Sequence, residues 1–73
     1  MRKFSRITSS PEIMGGKACI RGMRITVSMI LNLIASGMAK EDIISEYPSL
    51  EVDDINECLK YAAFLAEEEL YLT

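Results

Sequence analysis

Three groups of residues in this 73-residue chain carry side chains suited to chemistry. They are a Gly15-Gly16-Lys17 turn, the carboxylates Glu41/Asp42, Asp53/Asp54 and Glu67/Glu68/Glu69, and the cations Arg2, Lys3, Arg6, Lys17, Arg21 and Arg24. What is missing bounds what they can do. The chain has no histidine, which removes Ser-His and Cys-His nucleophile pairs and every His-ligated metal site. Cys19 and Cys58 stand in neither a CxxC nor a zinc-site spacing, and both have apolar neighbours. Buried, reduced thiols are expected.

A phosphate-binding loop needs four residues between its glycines, then Lys and Ser or Thr, so that backbone amides curl round the phosphate at a helix start. Here the two glycines are adjacent, Ala18 follows the lysine, and no helix signal begins there. The segment reads as a turn with one exposed lysine. The carboxylate clusters match a Mg²⁺ site or a general acid–base pair in residue type alone. They fall on positions expected on solvated helix faces, and 73 residues leave no large cavity to desolvate them. No catalytic residue, no metal site and no cofactor is therefore expected.

The cations suggest a different role. The net charge of −3 divides unevenly: residues 1–24 hold six cations against Glu12 (net +5), and residues 25–73 hold Lys40 and Lys60 against ten carboxylates (net −8). Such asymmetry points to different partners for the two ends; the plainer reading is two solvated faces. An extended arm bearing Lys17, Arg21, Arg24 and Arg6 suits contacts to DNA phosphates, because basic arms enter grooves or clasp backbones. The outward face of the last helix is a poor groove reader, since Asp53 and Glu57 accompany Lys60 there.

A small domain must position these groups. At 49% hydrophobic and 26% charged residues, one soluble globular domain is expected rather than disorder. A chain of this length buries only about 60% of its unfolded surface, so oligomerisation is an expected further source of stability. Asn32 and Ser36 break the most apolar run, Val27 to Ala35, which rules out a membrane span there. Met1-Arg2-Lys3 opens like a signal peptide, but Ser5, Arg6, Thr8, Ser9 and Ser10 follow where an apolar region is needed. A cytoplasmic protein is expected.

Residues 1–26 read as an extended or strand arm, and residues 27–73 as a three-helix core with its C-terminal helix. Ala18-Cys19-Ile20 and Met23-Arg24-Ile25-Thr26 look like short strands hinged at Gly22. Thr26 can cap a first helix with Val27, Ile30, Leu31 and Ile34 on one face, and Gly37 closes it. A second helix runs from about Lys40 to Tyr47, with Ile43, Ile44 and Tyr47 inward, until Pro48 stops it. A third starts near Val52, with Asp53 and Asp54 in the first turn where the helix dipole favours anions. Ile55, Cys58, Leu59, Ala62 and Ala66 share its inner face. The fold class is mainly α: a homeodomain-like, three-helix helix-turn-helix core with a short N-terminal β-strand arm. Any three-helix bundle gives a similar pattern.

The second half of the third helix is apolar nearly all round. Phe64 and Tyr71 lie seven residues apart on the face opposite Ile55 and Ala62, with Tyr61 and Leu65 beside them. A surface helix has no need of this, and an aromatic strip beside carboxylates suits a protein interface. Tyr61, Phe64, Leu65 and Tyr71 are the candidate partner-binding residues. In the competing reading the arm folds back and covers the strip.

Ile7-Thr8 and Pro11-Glu12-Ile13, followed by Gly15-Gly16-Lys17-Ala18-Cys19-Ile20-Arg21-Gly22-Met23-Arg24-Ile25, strongly resemble the signature of the domain-of-unknown-function family 433. The likeness continues through Ile30-Leu31, Gly37, Ile43, Tyr47-Pro48, Leu50, Asp54-Ile55 and Leu59 to Tyr61-Ala62-Ala63. This resemblance implies a homeodomain-like helix-turn-helix fold with a strand region ahead of the helices. It also implies similarity to the antitoxin half of toxin–antitoxin pairs, whose toxins resemble PIN-type ribonucleases. Ala18 and Met23 stand where the family has proline and threonine. Ala39 replaces a usual capping serine, a loss of about 1 kcal/mol, and Glu51 stands where a Ser or Thr cap is common. The expected function is a non-catalytic antitoxin-like regulator that binds a cognate PIN-like toxin, takes operator DNA as a further partner, and forms a homodimer matched to a two-fold site. The alternative is a protein-interaction module that never touches DNA, which the acidic helical portion favours.

Overall fold

Thr26 divides the chain into an extended part and a helical part. The computed structural model describes the backbone of residues 4–72 and the side chains of residues 4–67. In the extended part, β1 (Ile7–Thr8) pairs antiparallel with β2 (Cys19–Ile20), with Ile7 opposite Ile20 and Thr8 opposite Cys19. The segment expected as a further strand, Met23 to Thr26, is reduced to a single bridge from Thr26 to Cys19, supported by the Ile20 N–H donating to the Ile25 carbonyl at 3.0 Å. Arg21 and Gly22 form the intervening turn with φ of +46° and +73°, closed by the Met23 N–H on the Ile20 carbonyl at 2.8 Å. Positive φ at both central positions belongs to the turn type that suits strand twist. Gly22 adopts it freely, whereas an L side chain such as Arg21 is strained there by about 1–2 kcal/mol.

The helical part follows local chemistry closely. In α1 (Val27–Ala35), the Thr26 Oγ1 accepts from the Met29 N–H at 3.1 Å, which satisfies an otherwise orphaned donor. Gly37 ends the helix at φ +99°. Its N–H donates to Ile34, and that of Met38 to Leu33, the paired bonds of a Schellman stop. Helix α2 (Lys40–Glu46) starts at Ala39 without a side-chain cap, as the loss of a capping serine implies. Helix α3 (Val52–Leu72) starts after Glu51, whose N–H donates back to Asp54 Oδ2 at 2.8 Å, the reciprocal half of a capping box.

Ile20 from the arm, Val27 and Ile30 from α1, Ile43 from α2, Leu50, and Ile55 and Cys58 from α3 form the buried cluster. Both cysteines are free and buried. The fully buried side chains described in α3 (Asp54, Ile55 and Cys58) lie in its first two turns. With 21 residues, α3 runs for about 31 Å, against about 14 Å for the 9 residues of α1. No helix among the described residues is long and apolar enough to cross a membrane.

Candidate functional site

Asp54 sits at the third position of α3, facing the arm, and is 0% exposed. This corrects the expectation that all the carboxylate clusters are solvated. A buried carboxylate needs partners for its lone pairs, and here both oxygens are saturated. Arg21 binds in a fork, with Nε on Oδ1 at 3.1 Å and Nη2 on Oδ2 at 2.9 Å. Arg6 Nη1 adds a bond to Oδ1 at 3.0 Å, and the Glu51 N–H adds one to Oδ2. Arg6 Nη1 also reaches Glu51 Oε1 at 2.7 Å, and its Nη2 lies 3.7 Å from the Asp53 carboxylate. Backbone bonds bind the node together: the Arg6 N–H donates to Glu57, and the Arg21 N–H to the Arg6 carbonyl at 2.8 Å. Arg21 Nη2 further donates to the Ser49 carbonyl at 2.7 Å.

Burial pushes the Asp54 carboxyl upward, but hydrogen bonds from Arg21, the Glu51 amide and Arg6 outweigh it and leave its pKa below the ordinary value. The hydrogen bonds to Glu51 and Asp54 raise Arg6, and that to Asp54 raises Arg21. All three groups therefore stay charged at neutral pH. The node is a clamp that ties the arm to α3 and holds Arg21 in its strained turn. Its carboxylate has no free lone pair directed at a substrate, because four donors occupy it.

The four cations considered for DNA are thus divided. Arg6 and Arg21 meet on Asp54. Lys17 and Arg24 are exposed, and their charged ends have no hydrogen-bond or ion-pair partner among the described residues. The Gly15-Gly16-Lys17 segment forms a short 3₁₀ turn at Met14–Gly16. The Gly16 and Lys17 amides donate to the Ile13 and Met14 carbonyls, at 3.1 and 3.3 Å, so neither is aimed at an anion. Among the described residues, no group of three or more His, Cys, Asp or Glu is arranged to hold a metal ion. Burial, with the charges of Asp54 and Glu57, pushes the Cys58 thiol up to about 11.

Two residues of the aromatic strip on α3, Tyr61 and Phe64, are not left to solvent. Phe4 stands edge-on to Tyr61, with centroids 5.2 Å apart, and lies 5.8 Å from Phe64. Phe64 is half-buried, so the arm does fold back over it, and its assignment to a solvent-facing strip is corrected. The Tyr71 side chain lies outside the described residues. Tyr61 and Leu65 instead border an open groove of about 360 Å³ between the arm, α1 and α3. Val27, Leu31 and Ala18 add its apolar walls, and Thr26, Ser28 and Lys17 its polar edge. Neither the groove nor the Asp54 node follows from helical periodicity. The available signal was the excess of cations in the arm over the carboxylates that open α3.

Residues 7–62 match the model of the DUF433 family, described as proteins of unknown function. The chain is similar to the uncharacterized protein y4eO of Sinorhizobium fredii (strain NBRC 101917 / NGR234), at 36% identity over 56 residues. That match covers 77% of this chain and 25% of the relative, so the chain spans a quarter of that protein's length. It is also similar to the crystal structure of a DUF433 member from Anabaena variabilis ATCC 29413, with TM-score 0.78 and 27% identity. That likeness covers 86% of this chain and 62% of the other, so this chain spans under two thirds of it. The matched segment contains both strands, Arg21, Asp54, α1, α2 and the first half of α3, and on that match the chain belongs to the DUF433 family.

Proposed function

We propose that this chain is a non-catalytic, antitoxin-like regulator that binds a partner protein, a PIN-like ribonuclease, through the acidic surface of α2 and α3. One observation carries this reading: the arm's two best-placed arginines are engaged internally. Arg6 and Arg21 join a cluster with Glu51, Asp53, Asp54 and Glu57, which stays negative even with both cations included. Beyond it, Glu41, Asp42 and Glu46 are exposed on α2, and Lys40 donates to Asn56 at 2.7 Å. Such a surface repels DNA phosphates and complements a basic, RNA-binding face, speeding encounter and fixing orientation. Operator binding is the second reading, supported by the unpartnered Lys17 and Arg24.

The test pairs this chain with a PIN-like ribonuclease encoded beside it. Inhibition of RNA cleavage at one-to-one stoichiometry is expected. The triple variant Glu41→Lys, Asp42→Lys, Glu46→Lys should slow association and flatten its salt dependence. Full inhibition by that variant would overturn the acidic-face reading. Tight binding of upstream DNA with a steep salt slope, and no effect on the nuclease, would favour the operator instead.

A further inference from the structure

We propose that the groove between the arm, α1 and α3 binds a medium-chain fatty acid, its alkyl chain along Val27, Leu31, Tyr61 and Leu65 and its carboxylate on Lys17. Val27 is buried, Leu31 and Tyr61 are half-buried, and Leu65 remains 44% exposed, so the walls are apolar and open to entry. At about 30 Å³ for each water- or methylene-sized group, 360 Å³ holds a chain of about ten carbons. The charge at the edge has one sign. The chain carries eleven carboxylates, yet among the described residues none lines the groove, and the first turn of α1 holds none. Lys17 is exposed there with its ammonium unpartnered among the described residues, and Ser28 adds an exposed hydroxyl. That edge offers an anion one full charge and a further hydrogen bond.

Protein segments fit the groove less well. The backbone at this edge is already paired: the Val27 N–H donates to the Ala18 carbonyl at 3.0 Å, and the Ile30 N–H to the Thr26 carbonyl at 3.3 Å. The Thr26 Oγ1 is taken by the Met29 N–H. An extended peptide laid here would lose water from amides that find no partners, a cost that an alkyl chain does not carry. A helix about 10 Å across takes about 400 Å³ in a single turn, more than the groove contains, so it would rest on the rim. An apolar chain ending in one anion matches walls and edge together. The site uses none of Glu41, Asp42 or Glu46, so it stands apart from the nuclease-binding reading.

Decanoate below its micelle concentration is the probe, and the amide and methyl NMR shifts of the full chain are the readout. One decanoate should bind per chain, saturably, with shifts centred on Val27, Leu31 and Leu65. Lengthening the probe from hexanoate to octanoate to decanoate should tighten binding by about two- to fourfold per methylene. Decylamine, with the same chain and the opposite charge, should bind about threefold more weakly or worse. Lys17→Glu should reverse that preference, and Leu65→Glu should weaken decanoate. Both side chains are exposed, so both variants should keep the helical circular dichroism signal. No saturable binding, equal affinity for decanoate and decylamine, or a preference unmoved by Lys17→Glu would overturn the proposal. Concentration-dependent shifts at the same residues without ligand would also overturn it, by assigning the groove to a second copy of the chain.

Discussion

Replacing Asp54 by asparagine keeps the side chain's shape and one acceptor oxygen but removes its charge. In the native node the two carboxylate oxygens accept from Arg21 Nε and Nη2, Arg6 Nη1 and the Glu51 N–H. An asparagine must turn its NH₂ toward at least one of these donors, in a position with no solvent access. Losing the cap to Glu51 costs about 1 kcal/mol. The lost charge-assisted bonds add about as much again, well below the fully buried figure, because the arginine side chains are 29% and 37% exposed and can rehydrate. Asp54→Asn should therefore lose about 2 kcal/mol, or about 8–16 °C in thermal midpoint for a domain of this size. The pH dependence has a definite sign. Asp54 titrates below the ordinary aspartate value in the folded chain, so its contribution is complete above that ordinary value and disappears as pH falls through the lower, folded one. Urea unfolding of both proteins, from neutral pH down into the acid range, should show a gap that narrows below about pH 4. Equal midpoints at neutral pH, or a gap unchanged in acid, would refute the clamp.

Thr26→Ala should cost about 1 kcal/mol through loss of the Met29 cap, while Ala39→Ser should add a similar amount by supplying the cap that α2 lacks; calorimetry of each variant reads both signs. Phe4→Ala should lower stability by about 1–2 kcal/mol by removing the ring from Tyr61 and Phe64, and an unchanged urea midpoint would show that the arm is held without it. The Cys58 thiol has its pKa raised from 9.0 to about 11 by burial, so stability should decline as pH rises between those values, where only the unfolded thiol ionises; a thiol reagent at neutral pH should modify Cys58 at the rate of unfolding, and modification faster than that would contradict its burial. Arg21→Ala should destabilise the domain by releasing Asp54, since alanine relieves neither the charge nor the positive φ. Loss of DNA binding in that variant would then say nothing about phosphate contacts unless folding is measured beside it.

What was legible in the sequence is what short-range rules govern. Thr26 and Gly37 bracket α1 because a hydroxyl cap and a left-handed stop are local needs, and Pro48 closes off α2 for the same kind of reason. The core face of α3 followed from Ile55 and Cys58 at helical spacing, with Leu59 and Ala62 half-buried beside them, but Ala66, expected on the same face, is exposed. The burial of Asp54 was not legible, because the arginines that permit it lie 33 and 48 positions away along the chain. The solvent assignment of Phe64 failed alike, since Phe4 covers it from the far end of the sequence. The charge asymmetry was visible, but part of it is neutralised internally: arm cations meet helix carboxylates within one molecule. Arg21 in a left-handed turn is rare for a side chain with a β-carbon, and no propensity points to it.

The clamp also imposes an order of events on the chain as it is made. Arg6 closes on Glu51 across 45 positions and on Glu57 across 51. At ribosomal rates of about 5–20 residues per second, the arm waits on the order of 2–10 s for its partners to be synthesised. Throughout that interval Ile7 and Ile20 have no α3 to settle against, and Arg21 has no carboxylate to hold its turn. The arm, translated before α3, is thus secured only after it, and a substitution at Asp54 prolongs its exposure to proteases and chaperones beyond what the equilibrium stability of the finished domain records.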